Sequence, residues 1–188
     1  MRRIVVERRN AVSSDEIRSK SKRIMDRLTA IDDFVLAKKI HSYASTKAGE
    51  FDTRSLIDYS SNNGKTVVIP KLNKQSKTFQ HAVFAGWEGM TKNQEGYFEP
   101  SVGFDDDLSD VDLLIVPAMA VSVLGQRVGY GGGYYDKLLS KTLSVKIVPA
   151  FEFQIFDNIE TEPHDLRVDK IVTELRVINT REYERQNL

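Results

Sequence analysis

Gln126-Arg127-Val128-Gly129-Tyr130-Gly131-Gly132-Gly133-Tyr134-Tyr135-Asp136-Lys137 follows the apolar run Leu113-Leu114-Ile115-Val116-Pro117 and leads into Leu138-Leu139. A buried strand, a glycine-rich turn and a helix in that order are the unit of an α/β fold. Four of the chain's eleven glycines fall in five positions here, between an arginine and an aspartate. Glycine exposes backbone N–H groups and permits positive φ, so such a turn can wrap an anion closely. The N–H groups that open the following helix add to the attraction. Arg127 offers a forked cation to phosphate, and Asp136 offers a hard oxygen to Mg²⁺. The stretch reads as a nucleotide-phosphate site. A flexible hairpin tip would explain the glycines but not the flanking charges or the immediate helix. The turn is not a P-loop, because Tyr134-Tyr135 follow Gly133 where lysine is required. Nor is it the dinucleotide fingerprint, because Tyr134 takes the third glycine position of a frame starting at Gly129.

Working outward, the pattern alternates helices with strands. Ser13-x-x-Glu16 reads as a capping box, and Ile17, Ile24, Met25, Leu28 and Ile31 recur at helical spacing behind it. Residues 2–12 are a weaker helix candidate, since Val5-Val6 opposes it. Lys38–Ser42 is a short strand. Asp52 or Thr53 caps a helix carrying Leu56, Ile57 and Tyr59, which Asn63-Gly64 stops. Thr66–Ile69 is a β-branched strand closed by Pro70, and Gln80–Ala85 alternates as a further, antiparallel one. Gly86 to Asp110 is rich in Gly, Asp and Pro and reads as irregular surface. Val111–Val116 is the best buried strand, with the glycine loop after it and a helix from about Tyr134 to Thr142. Val145–Ala150 and Lys170–Thr173 complete the strands. The expectation is an α/β fold, a Rossmann-like mostly parallel sheet with helices on both faces, formed by residues 1–188 as a single domain. Ligands of such sheets bind beyond the C-terminal strand ends.

With 188 residues, 40% hydrophobic and 29% charged, the composition is that of a soluble globular protein. The formal net charge is zero, so no overall field recruits nucleic acid. Residues 1–30 carry nine Lys/Arg against four Asp/Glu, and residues 151–188 carry five against nine, which fits solvated helix faces and a polar tail. The absence of cysteine excludes disulfides, thiolate nucleophiles and Cys-based metal sites, and it fits a reducing cytoplasm. No apolar run is long enough for a membrane span, and the charged N-terminus lacks a signal-peptide core. A cytoplasmic monomer without nucleic-acid or membrane partners is expected.

Other candidate residues are weaker on local grounds. Asp136 also suits a first helical turn through the helix dipole, but beside an anion-binding loop Mg²⁺ ligation is the stronger reading. Glu50, in Gly49-Glu50-Phe51-Asp52-Thr53, reads locally as a solvated loop acid. Asp165, in Glu162-Pro163-His164-Asp165, fits a turn. Tyr134 and Tyr135 suit either the core or the wall of a flat ligand's pocket. His41, His81 and His164 are too scattered to suggest a metal cluster.

The chain resembles the 5-formyltetrahydrofolate cyclo-ligase (5,10-methenyltetrahydrofolate synthetase) family. Four stretches match in the family's order: Gly49 to Thr53, Val68-Ile69-Pro70-Lys71, Asp112 through Lys137, and Glu162 to Asp165 with Asp169 to Glu174. Arg127-x-Gly-x-Gly-x-Gly-Tyr-Tyr-Asp136 is the specific one. The resemblance implies an ATP- and Mg²⁺-dependent ring closure of a reduced folate, releasing ADP and phosphate. ATP phosphorylates the formyl oxygen, N10 attacks the activated carbon, and phosphate leaves. It implies that Arg127, Asp136 and Tyr134 serve the chemistry. Arg2, Gly129, Tyr130, Gly131, Gly132, Gly133 and Tyr135 would join them around ATP. Glu50, Tyr134 and Tyr135 would hold the folate, and Asp136 and Asp165 the metal. The chain departs from the family in three places. Arg2 falls on the arginine of an N-terminal Lys-x-x-Leu-Arg pattern, with the lysine position before residue 1. Glu95-Gly96-Tyr97-Phe98-Glu99-Pro100 stands for aromatic-Gly-Ile-x-Glu-Pro, so Tyr97 or Phe98 replaces a folate-stacking aromatic. Ala118 to Ser122 stands for Gly-Leu-Ala-Phe-Asp and lacks its acid. The rival readings are a non-catalytic nucleotide- or folate-binding protein on the same fold, and a different small-molecule kinase or ligase.

Overall fold

The computed structural model describes residues 1–47, 49–105, 107–160 and 166–187. Helices α1 (Arg2–Asn10), α2 (Ser14–Leu28) and α3 (Asp32–Leu36) precede strand β1 (Lys39–His41). Helix α4 (Thr53–Asn62) leads to the hairpin of β2 (Thr66–Asn73) and β3 (Thr78–Val83). Short strands β4 (Met90–Lys92), β5 (Phe98–Pro100) and β6 (Phe104–Asp105) come before β7 (Leu113–Ile115). Then follow β8 (Ala120–Ser122), β9 (Arg127–Val128), α5 (Tyr134–Leu139), β10 (Val145–Pro149) and β11 (Ile155–Phe156). Strands β12 (Lys170–Val172) and β13 (Val177–Asn179) and helix α6 (Thr180–Asn187) close the chain.

The main sheet has eight strands in the order β13-β12-β10-β7-β1-β2-β3-β6. The middle strands β12, β10, β7, β1 and β2 pair in parallel, and the flanking pairs are antiparallel. Alternation along the strands builds two cores. Leu114, Val148 and Ile171 face Leu138 and Leu139 of α5, with Tyr183 of α6 packed alongside. Leu113, Ile115, Ile147 and Val172 face Ile24, Leu28, Phe34 and Leu56 of α2, α3 and α4. Helices therefore cover both faces, as the period-two alternation requires.

Local chemistry sets the ends of these elements. The capping box forms: Ser13 Oγ accepts from Glu16 N–H, and Glu16 returns the bond to Ser13 N–H. Asp52 caps α4 by accepting from Arg54 and Ser55 N–H. Pro70 does not close β2, which runs on to Asn73. The pairing of β1 with β2 ends at His41–Val68, so Pro70 lies beyond it and its missing N–H removes no bond to β1. Residues 86–110 are not irregular throughout. They hold β4, β5 and β6, with β4 and β5 paired and Trp87, Met90 and Phe98 packed on Ile57 and Ile69. The glycine loop does not leave β7 directly. A small sheet, β11-β8-β9, intervenes and carries Arg127 at its end. Helix α5 stops at Leu139, earlier than expected, and β13 and α6 occupy what reads as a polar tail.

From β1 the chain crosses to β2 on one side, and from β7 to β10 on the other. That reversal opens a crevice at the C-terminal ends of β1 and β7, the standard ligand position of such sheets.

Candidate active site

A cavity of about 610 Å³ fills this crevice, a size suited to a small ligand. The segment after β1 contributes Tyr43 and Glu50 to it, the segment after β7 contributes Pro117, and β9 with the glycine loop contributes Arg127 through Gly133. Tyr134, Tyr135 and Asp136 of α5 line it too, as do Phe79, Tyr97, Phe98 and Glu99 from the hairpins opposite. Glu50, 77 positions before Arg127 in sequence, is thus brought to the same cavity as the glycine motif.

Gly131 has φ of +101° and Gly133 of +69°, the left-handed region that glycine alone enters at little cost. Among the described residues, a Cβ added at Gly133 would meet nothing within 4 Å, so that side of Gly133 is open. Arg2, at the start of α1, lies over it and donates from Nε to Gly129 O at 3.0 Å.

Arg127 is almost fully buried, donates to Pro117 O at 3.3 Å and forms an ion pair with the half-exposed Asp136. The pair holds cation and carboxylate at the head of α5 and leaves Asp136 with free coordination on its exposed side. Among the described residues, no three His, Cys, Asp or Glu gather to hold a metal ion. That donor set suits Mg²⁺ arriving with a phosphate ligand, since this ion keeps several waters and uses one or two carboxylates. Asp165, the other expected metal ligand, lies outside the described residues.

Glu50 is no solvated loop acid. Its Oε1 accepts from the Tyr130 hydroxyl, and its Oε2 from the N–H groups of Thr46 at 3.4 Å and Lys47 at 3.2 Å. Partial burial, then the neighbouring Glu50 carboxylate, push the Tyr130 phenol well above its ordinary pKa. Lys47 Nζ sits 4.2 Å from the Tyr130 ring centre and 5.3 Å from that of Tyr97. The cation between two rings ties three loops together across the cavity mouth.

Tyr134 and Tyr135 pack on Phe79, with ring centres 5.3 and 5.1 Å apart. The Tyr135 hydroxyl is buried without a partner among the described residues, and burial drives its pKa up. Near it lies His41, fully buried, 5.1 Å from the His81 ring and, among the described residues, with no hydrogen bond to either ring nitrogen. Burial, reinforced by His81, pushes His41 down to about 3, so the ring is neutral.

Phe79 and Glu99 are cavity residues that the motifs do not disclose, and neither do they disclose Lys47, which lines the adjoining groove. Only Glu99 carried any signal, standing before Pro100 in the altered Glu95–Pro100 stretch. A second, open groove of about 950 Å³ adjoins the cavity, sharing Glu50 and Phe98, and is lined by Arg9, Arg18, Lys22, Lys47, Arg54 and Lys92.

Comparison with known proteins agrees with this architecture. The pattern defining the 5-formyltetrahydrofolate cyclo-ligase family matches residues 1–174. A probable 5-formyltetrahydrofolate cyclo-ligase of Schizosaccharomyces pombe is 32% identical over 178 residues, covering 86% of this chain and 87% of that protein. The 5-formyltetrahydrofolate cyclo-ligase of Escherichia coli K12 is 28% identical, covering 93% and 98%. The NMR structure of Aquifex aeolicus 5,10-methenyltetrahydrofolate synthetase superposes with a TM-score of 0.84 at 29% identity, covering 96% of this chain and 91% of that one.

Proposed function

The chain belongs to the 5-formyltetrahydrofolate cyclo-ligase family, and from that premise we propose that it closes 5-formyltetrahydrofolate to 5,10-methenyltetrahydrofolate, with MgATP consumed and ADP and phosphate released. The observation that carries the reading is the single cavity at the sheet's switch point, which joins the glycine loop, Arg127 and Asp136 to Glu50 and a wall of aromatic rings.

A formamide oxygen is a poor leaving group until it is phosphorylated. The protein's task is to hold that oxygen in line with the γ-phosphate and to neutralise the charge that develops. Gly129, Tyr130, Gly131, Gly132 and Gly133 offer the phosphates backbone N–H groups, and Arg2 lies over the same turn. Arg127, already aimed by Pro117 O and Asp136, supplies the buried cation. Asp136, with Asp165, would hold Mg²⁺, which when bound offsets the triphosphate's charge. Tyr134 and Tyr135 flank the folate. Glu50 accepts from the N–H edge of the pterin ring, taking the substrate in place of the Tyr130 hydroxyl. The acidic tail of the folate has the cationic groove to run into. The whole chain acts as one cyclo-ligase domain, a cytoplasmic monomer. Among the described residues no helix is long and apolar enough to cross a membrane.

The test is direct. Purified protein with 5-formyltetrahydrofolate and MgATP is expected to generate the near-ultraviolet absorbance of the methenyl product, and to generate none without ATP. Stabilisation by both ligands with no product at stoichiometric enzyme would leave a non-catalytic nucleotide- or folate-binding protein. ATP turnover without folate would indicate a different kinase or ligase.

A further inference from the structure

Ring closure must remove a proton from N10, and five described acids line the cavity: Glu50, Glu95, Glu99, Asp136 and Glu160. Both oxygens of Glu50 accept hydrogen bonds. Glu95 is paired with Lys74 at 2.8 Å, and Asp136 with Arg127. Glu160 is exposed. Glu99 differs from all four. It is only 8% exposed, on β5, and its Oε1 accepts from Leu72 N–H at 3.0 Å and from Asn93 Nδ2 at 2.9 Å. Asn93 is itself fixed, its Oδ1 accepting from the N–H groups of Glu95 at 2.9 Å and Tyr97 at 3.0 Å. Glu99 Oε2 takes no hydrogen bond among the described residues, so it is the atom left for the cavity. Glu99 lines the same cavity as Tyr134 and Asp136 of α5.

A carboxylate clamped through one oxygen presents the other in a fixed direction, which is the geometry a general base requires. We propose that Glu99 is the general base of ring closure, a role that rests on the cyclo-ligase reading. N10 attacks the phosphorylated formyl carbon and forms the N10–C bond. Glu99 Oε2 takes the N10 proton. The freed nitrogen lone pair then expels phosphate as the C–O bond breaks, leaving the methenyl bridge between N5 and N10. Glu99 returns its proton to solvent on product release.

Single-turnover experiments, with enzyme in excess over 5-formyltetrahydrofolate and MgATP, separate the two steps: quenched samples report ADP, and absorbance reports the methenyl product. Glu99→Gln keeps an oxygen for Leu72 and Asn93 but removes the base. The expected result is ADP formed at the wild-type rate and methenyl formation slowed by about 10²- to 10⁴-fold. Glu99→Asp, which retracts the carboxylate, is expected to slow the second step less. Equal slowing of both steps in the Gln variant would overturn the proposal, because Glu99 would then hold the substrate or metal ahead of phosphoryl transfer. Wild-type methenyl formation by that variant would overturn it as well. Should the Gln variant fail to fold, the Asp variant decides by the same split. Absence of methenyl product from the wild type would overturn the cyclo-ligase reading itself.

Discussion

Arg127 and Asp136 hold each other at the head of the cavity, nine residues apart in sequence. Arg127 is nearly buried and Asp136 half-exposed, so the carboxylate also offsets the cost of burying the guanidinium. Their pairing fixes a cation and, on the proposed reading, a metal-binding oxygen before any ligand arrives, and a preset electrostatic site of this kind acts mainly on the transition state. Asp136→Asn is therefore expected to lower kcat by about 10²-fold or more at saturating MgATP, and to lower the thermal midpoint, since it takes the counter-charge from a nearly buried guanidinium. Arg127→Ala is expected to do the same, the midpoint falling because it strips Pro117 O of a buried donor. Near-wild-type turnover in either variant would remove that residue from the chemistry. These two residues could be read from sequence because one continuous motif carries them. Glu99 and Lys47 could not be read that way, because their meaning comes from strands and loops far apart in the chain. Glu99 acquires a direction only through Leu72 and Asn93, and Lys47 only between the Tyr97 and Tyr130 rings.

At the level of elements, the turn between β9 and α5 is the part that a ligand would complete. Gly133 caps α5 in the left-handed region, with no atom of the described residues within 4 Å of the position of its missing Cβ. A side chain there costs roughly 1–2 kcal/mol of backbone strain but its Cβ clashes with none of them. The two effects can be separated. Gly133→Val is expected to lower the thermal midpoint of the free protein modestly and to abolish the further stabilisation given by MgATP, because a ligand stabilises only by binding the native state. A midpoint that falls while the MgATP-induced shift persists would show that the turn does not cradle phosphate. The same elements show what sequence pattern can and cannot reveal. The strands from Leu113, Val145 and Lys170 are legible because each is buried on both faces and reads as an apolar run. Strands β4, β5 and β6 are two or three residues long and sit among turn residues, so they exist through cross-strand partners rather than intrinsic preference. β2 passes through Pro70 because of where β1 stops, which no local window contains.

The whole molecule is built on a sheet whose two faces carry separate cores, and a histidine is buried beside the candidate cavity. His41, on β1, is fully buried, with neither ring nitrogen hydrogen-bonded among the described residues, packed edge-on to His81 and near Tyr135. Folding holds it neutral down to about pH 3, whereas an unfolded histidine takes up its proton near pH 6.5. Between those values the unfolded chain binds more protons than the native one, so stability falls as pH falls. It is fully present above about pH 6.5 and declines by up to about 1.4 kcal/mol per pH unit below it. Carboxylates such as Asp112, held low by the backbone N–H groups of Lys39 and Lys38, join the loss only at more acid pH. The window from about pH 6.5 to 5 therefore belongs to histidine. Thermal midpoints measured across that window are expected to drop for the wild type and to stay nearly level for His41→Leu. The variant also removes two unsatisfied buried nitrogens, so its midpoint at pH 7 is expected to match or exceed the wild type's. Parallel pH profiles for the two proteins would mean that His41 ionises in the folded state as it does in water. The site beside Tyr135 would then be wet rather than dry.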